Sequence, residues 1–326
     1  SQLPIERRGF GIATLGTFAL LIGGIEPNGP SERIGWHDLL VHGPGAVNFD
    51  LPATPGRSRA ARISPTRALV ISEGDVPFLY DLYTITAPRT VVSLHEGASR
   101  ASAVLEAGEN VAVAVGGTDG VGAPVAGVSF VSNAGVVSTG TLASALPDRV
   151  AAYADGAVYV VSRADGDAML ERVVRAETSA TSSVLIAAFS DGIREGATLF
   201  WSKDGARGLL IGGVDENGDP RTDTVQFSGC PAACVSSAGP TWSTARRAPM
   251  THEDGFLVGG EGASAIVERV VFGADGPVIM ARGMLENPRY DGGLLTHPSG
   301  ALVVFGGEGA TGIRRDVEMC FPPSID

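Results

Sequence analysis

The run Phe256-Leu257-Val258-Gly259-Gly260 decides the fold, because close copies of it recur along the chain. They are Leu20-Leu21-Ile22-Gly23-Gly24, Val113-Ala114-Val115-Gly116-Gly117, Leu210-Ile211-Gly212-Gly213 and Val304-Phe305-Gly306-Gly307. The first glycines stand 93, 96, 47 and 47 residues apart, so each long gap holds about two periods. Degenerate copies fill the gaps at Leu69-Val70-Ile71-Ser72-Glu73 and Val158-Tyr159-Val160-Val161-Ser162-Arg163. Seven anchors at intervals of 44 to 50 residues account for the 326-residue chain. A fixed period of this length marks a solenoid, a propeller or an array.

The sixth repeat shows what one unit contains. Arg246–His252 reads as strand A, Asp254-Gly255 as a tight turn, and Phe256–Val258 as strand B, closed by the glycine pair. Ile266–Phe272 reads as strand C and Pro277–Met280 as strand D, with Asp275-Gly276 between them. Asp-Gly between apolar runs signals a two-residue hairpin whose turn residues both take positive φ. It returns at Asp155-Gly156 and Asp204-Gly205. Strand B is apolar at successive positions, as a strand buried on both faces requires. Four short strands per period predict an all-β chain, a seven-bladed β-propeller of four-stranded antiparallel blades forming a single domain over residues 1–326.

The stretch Asn287-Pro288-Arg289-Tyr290-Asp291-Gly292-Gly293-Leu294-Leu295-Thr296-His297, running on to Gly306-Gly307, resembles a kelch repeat. In that family Pro-Arg precedes strand A, and an apolar run ends in Gly-Gly. The resemblance spans the chain, with the second and fourth repeats lacking the glycine pair. Arg recurs in the same zone at Arg8, Arg59, Arg100, Arg149, Arg194, Arg247 and Arg289, and acids recur in strand C at Asp81, Glu171, Asp223, Glu268 and Asp316. Residues repeated in every blade are expected to satisfy backbone groups and pair with one another, leaving function where the blades differ. Galactose-oxidase-type propellers, similar to this family, bind copper through two Tyr and two His, one Tyr cross-linked to Cys. Here Tyr290, His252 and His297 fall in adjacent blades with no Cys beside a Tyr, so the resemblance implies no copper enzyme.

Charge and cysteines narrow the setting. A net charge of −12 argues against binding nucleic acid through its phosphates and against docking on anionic lipid. Arg7-Arg8 followed by Phe10–Ile22 superficially resembles a signal peptide, but the stretch is in register with the repeat and reads as the first two strands. A chain beginning at Ser1 reads as a processed form, and the single Lys among 24 basic residues suggests a high-GC bacterial source. Cys230 and Cys234 bracket a predicted turn, where a disulfide would staple a hairpin and imply an extracytoplasmic location in the periplasm, at the cell surface or secreted. Cys320 is left as a buried thiol or an intermolecular partner.

The B–C and D–A loops share one face, and kelch-like propellers commonly bind partners there. The binding candidates on it are Glu26, Glu73, Asp75, Asp119, Asp165, Asp215, Glu216, Asp219, Glu261 and Glu308, with Arg246 and Arg247. Asp215, Asn217 and Asp219 form a weak Ca²⁺ candidate, although Pro220 and Gln226 exclude an EF-hand; no other cofactor is implied. Blade seven lacks a good strand D of its own, because only Pro322–Asp326 follow strand C at about Ile313–Phe321. Gln2-Leu3-Pro4-Ile5 could supply it; otherwise an open edge remains. The expected role is a non-catalytic protein-binding or scaffold module, and the alternative a carbohydrate-binding or carbohydrate-active propeller.

Overall fold

The computed structural model describes residues 2–41, 43–51, 56–73, 76–83, 89–146, 149–164, 167–175, 181–190, 194–242, 244–261 and 265–321. Seven antiparallel sheets follow one another along the chain, giving the all-β, seven-bladed propeller fold. Six have four strands in the order A-B-C-D, and the seventh has three. Strands B are buried along nearly their whole length, as at Val111–Val115, Gly208–Val214 and Leu302–Phe305. That burial on both sides explains their unbroken apolar runs. In sheet 6 the strands are Met250–Thr251, Phe256–Val258, Ile266–Gly273 and Gly276–Met284.

Contacts gather into two compact units. The first comprises Ser1–Val91, Pro249–Arg269 and Met280–Asp326; the second comprises Val92–Ala248 and Val270–Ile279. The first unit is cored by Leu15, Leu20, Val70 and Phe78 in one cluster, Phe10, Leu21, Leu295 and Phe305 in another, and Val258, Leu302 and Val304 in a third. In the second unit Tyr159 stacks on Trp201 at 3.8 Å and Trp201 on Phe227 at 5.7 Å, beside the bonded pair Cys230–Cys234. This disulfide closes the turn between strands C and D of sheet 5, Thr224–Ser228 and Val235–Ala238. Among the described residues no helix is long and apolar enough to cross a membrane.

Three local readings change. Of the Asp-Gly turns, only Asp155-Gly156 has positive φ at both residues (46° and 71°). At Asp254-Gly255 only the glycine does, because the loop runs from His252 to Phe256 and a longer loop needs a single left-handed residue. Strand C of sheet 7 is Val317–Cys320, while Gly312–Ile313 pairs with Glu308–Gly309 in a separate small hairpin. The N-terminal segment approaches that strand without becoming a fourth. Gln2 makes one antiparallel bridge to Asp316, Leu3 N–H donates to the Arg315 carbonyl, and Arg7 N–H donates to that of Arg314. Pro4 has no N–H with which to extend a ladder. Pro322–Asp326 lie outside the described residues.

The glycine pair and the recurring arginine form one device. Arg289 is fully buried; its Nη1 donates to the carbonyls of Gly306 and Asp316, and its Nη2 pairs with Asp316 and, at 2.8 Å, with Glu318. A Cβ on Gly306 would lie 2.6 Å from the carbonyl oxygen of Arg7, the corresponding arginine of sheet 1. One on Gly307 would lie 2.7 Å from the Tyr290 carbonyl at the head of its own sheet. The pair has φ of 51° and 94°, so glycine is required on both counts.

Candidate functional site

The register of the arginines is set by burial: it differs by one residue from the sequence pattern at two places, and at two others, Arg59 and Arg100, the arginine of the pattern is exposed. The buried ones are Arg7, Arg149, Arg194, Arg246 and Arg289. In the doublets Arg7-Arg8 and Arg246-Arg247 the first residue is therefore the anchor and the second is turned away, since neighbouring residues of an extended chain face opposite ways. Arg246, expected on the binding rim, lies fully buried over the Trp242 ring at 4.8 Å and is unavailable to a partner.

Aligned on the anchor, four segments share a pattern: Arg7-Arg8-Gly9, Arg194-Glu195-Gly196, Arg246-Arg247-Ala248 and Arg289-Tyr290-Asp291. The third residue is left-handed each time, with φ of 60°, 73°, 46° and 56°. Its backbone links neighbouring sheets: Gly9 N–H donates to the Asp291 carbonyl at 2.8 Å, and Ala248 N–H to that of Gly196 at 3.0 Å. Three of the four use Gly or Ala where a side chain is least tolerated. Sheet 7 places an aspartate there; aspartate is among the side chains that tolerate this conformation, and it brings a carboxyl to a place where the other three sheets have none.

Around Asp291 the first unit gathers a compact charged cluster. Its Oδ1 accepts from Arg57 Nη1 at 2.7 Å. Its Oδ2 is buried, accepts no hydrogen bond among the described residues, and has Arg8 Nη1 at 3.7 Å. The same Arg8 nitrogen lies 2.8 Å from Glu308 Oε2. Tyr290 is bridged to Glu308 by two backbone hydrogen bonds of 2.9 and 2.8 Å. Burial lifts the Asp291 carboxyl above its ordinary range; Arg57 and Arg8 oppose the rise, and the Glu308 charge adds to it. Burial also raises the Tyr290 phenol, as do its hydrogen bond to Glu308 and the Glu308 and Glu261 charges. Two carboxyls, two guanidinium groups and a phenol thus share one site, with the Asp291 carboxyl and the Tyr290 phenol perturbed by their neighbours.

The other sequence candidates disperse. Glu26 accepts from Ser31 Oγ at 2.5 Å and lies 3.6 Å from Arg7. Glu73 pairs through its backbone with Arg57, joining the edge of the cluster. Asp119 caps its own loop, accepting from the N–H groups of Val121 and Ala123. Asp215 does the same, its Oδ1 accepting from the N–H groups of Asn217 and Asp219; Glu216 and Asp219 are exposed. Arg247 pairs with Glu195 in the second unit. Asp75 and Asp165 lie outside the described residues. Glu308 and Glu261 belong with Asp291. The sequence reading passed over Asp291 itself, because the triplets that single it out align only once burial has fixed which arginine of each doublet is the anchor.

No family model matches the chain, and no curated protein sequence does. Solved structures do. One described as YjhT aligns over 98% of this chain and 95% of its own, with a TM-score of 0.54 and 11% identity. A fungal alcohol oxidase of the AA5 family in complex with copper aligns over 99% of this chain and 75% of its own, with a TM-score of 0.71 and 12% identity. At such identities the likeness shows the β-propeller fold alone. The residues here do not fit a copper centre of the galactose-oxidase kind. Tyr290 precedes strand A of sheet 7, Gly293–Thr296, whereas His297 follows it, bonded to Ser299 and the Leu39 carbonyl. His252 contacts Thr296 at that same far end. Among the described residues no three His, Cys, Asp or Glu side chains stand where they could hold a metal together.

Proposed function

We propose that this kelch-like propeller binds a small hydroxylated ligand of the carbohydrate class at the Asp291 cluster, with Asp291 able to give and take a proton there. The observation that supports this is the buried Asp291 Oδ2, which accepts no hydrogen bond among the described residues in a site otherwise crowded with charged donors. A ligand hydroxyl would supply the missing donor. That the structurally similar fungal protein is an alcohol oxidase accords with hydroxylated ligands on this fold. The disulfide supports an extracytoplasmic location.

The test is ligand-observed NMR of mono- and disaccharides and polyols against the whole chain at pH 4 and pH 7. Binding should change with pH in the natural protein and not in Asp291→Asn. A panel in which nothing binds, or binds without regard to Asp291, would refute the reading.

A protein-binding scaffold is the second reading. In the second unit, strands D of sheets 4 and 5 expose Val184, Leu185 and Val235. Exposed apolar side chains on outer strands suit a protein partner, and co-purification under non-reducing conditions would reveal one.

A further inference from the structure

The ligand's own charge can be inferred from the two arginines, which occupy corresponding places but are used differently. Arg8 stands between Glu308 and Asp291, and its side chain is 26% exposed. Arg57 leads into strand A of sheet 2, Ser58–Ser64, as Arg8 leads into that of sheet 1; its Ser58 neighbour donates to the Gly9 carbonyl as Gly9 donates to that of Asp291. Yet Arg57 is 49% exposed, and its guanidinium makes one hydrogen bond among the described residues, from Nη1 to Asp291. A guanidinium carries five N–H donors in a planar fork shaped for a carboxylate. Four of them are uncommitted among the described residues. The carboxylate now holding Arg57 is also the half-desolvated group of the cluster, so an incoming carboxylate with both oxygens free competes with it on favourable terms.

We propose that the ligand carries a carboxylate beside its hydroxyls, and that Arg57 binds it by exchanging Asp291 for it. This rests on the ligand site proposed above. On exchange, Asp291 keeps Arg8 as its cation and its Oδ1 becomes free for a ligand hydroxyl. A net charge of −12, with Glu308, Glu261 and Glu73 around the cluster, disfavours ligands of higher negative charge and so favours a single carboxylate over a phosphate.

The probes are glucuronate, glucose and glucose 6-phosphate, titrated calorimetrically into the whole chain. Glucose differs from glucuronate in lacking the carboxylate. Glucuronate should bind at least about tenfold more tightly than glucose, the scale of one charge-assisted pair. Arg57→Gln, at a half-exposed position, should fold normally and abolish that preference. Asp291→Asn should strengthen glucuronate binding, because the internal competitor has lost its charge; a merely structural role for Arg57 or Asp291 would not produce a gain. Equal binding of glucose and glucuronate would overturn the carboxylate inference and leave the hydroxylated-ligand site standing. A preference for glucose 6-phosphate would overturn it in favour of a phosphate. Binding of none of the three would overturn the inference and refute the underlying site for this sugar skeleton.

Discussion

His95 should make the second unit sensitive to mild acid. The residue is 6% exposed, its backbone N–H donates to Ser129 Oγ at 2.8 Å, and its Nδ1 lies 2.9 Å from the same hydroxyl. Burial lowers its pKa from 6.5 to about 4; the Gly116 carbonyl and the Glu96 charge resist the drop and Arg149 adds to it. The folded state therefore binds its proton less readily than the unfolded chain does. Stability from this group is complete above pH 6.5 and is lost as pH falls towards 4. A gap of that size corresponds to roughly 3 kcal/mol in all, of which about 2 kcal/mol is gone by pH 5. Urea unfolding followed by tryptophan fluorescence, with Trp36 of the first unit replaced by Phe, reports on this unit, because Trp201 and Trp242 are buried within it. The midpoint should fall between pH 7 and pH 5, and the fall should shrink by about 2 kcal/mol in His95→Gln, which cannot titrate. Parallel pH profiles for the two proteins would refute the reasoning, and so would a His95 NMR titration near pH 6.5.

Two further outcomes follow from the anchor device. Arg289→Met takes its cation from Glu318, leaves Asp316 with Arg314, and strips the Gly306 and Asp316 carbonyls of a buried donor. It should cost about 3 kcal/mol, against less than about 1 kcal/mol for the more exposed Arg8→Met, in thermal unfolding. Gly117→Ala would bring a Cβ to 1.7 Å from the Arg100 carbonyl oxygen, whereas one at Gly135, with φ of 106°, meets nothing within 4 Å. Gly135→Ala should therefore show only the left-handed penalty of roughly 1–2 kcal/mol. Gly117→Ala should add the backbone clash, about 1–3 kcal/mol or more, and reduce soluble yield.

The period of the glycine pairs made the seven sheets legible because it reflects local geometry. Strand B is buried on both faces and must be apolar throughout, and the backbone leaving it must be left-handed, so each copy leaves the same mark. The Cys230–Cys234 staple was legible for a similar reason, since its partners are 4 residues apart. The arginine register was not legible at Arg7-Arg8 and Arg246-Arg247, where adjacent identical residues offer no local sign of which faces inward; only the carbonyls that each guanidinium reaches could decide it. The acidic loops are ambiguous in sequence for the opposite reason. Asp119 and Asp215 are what a turn needs to cap its own N–H groups, and composition cannot distinguish that use from ligand binding.

The sequence by itself determined the all-β repeat, the number of sheets, most strands and the disulfide, because each depends on neighbours within one period. Only the tertiary structure brought Arg8, Arg57 and Asp291 together, with a separation of 234 residues between Arg57 and Asp291 and more between Arg8 and Asp291. Charge interactions at a few ångströms depend on distance through space, and the one that holds this site joins residues from opposite ends of the sequence, where no local pattern records their meeting.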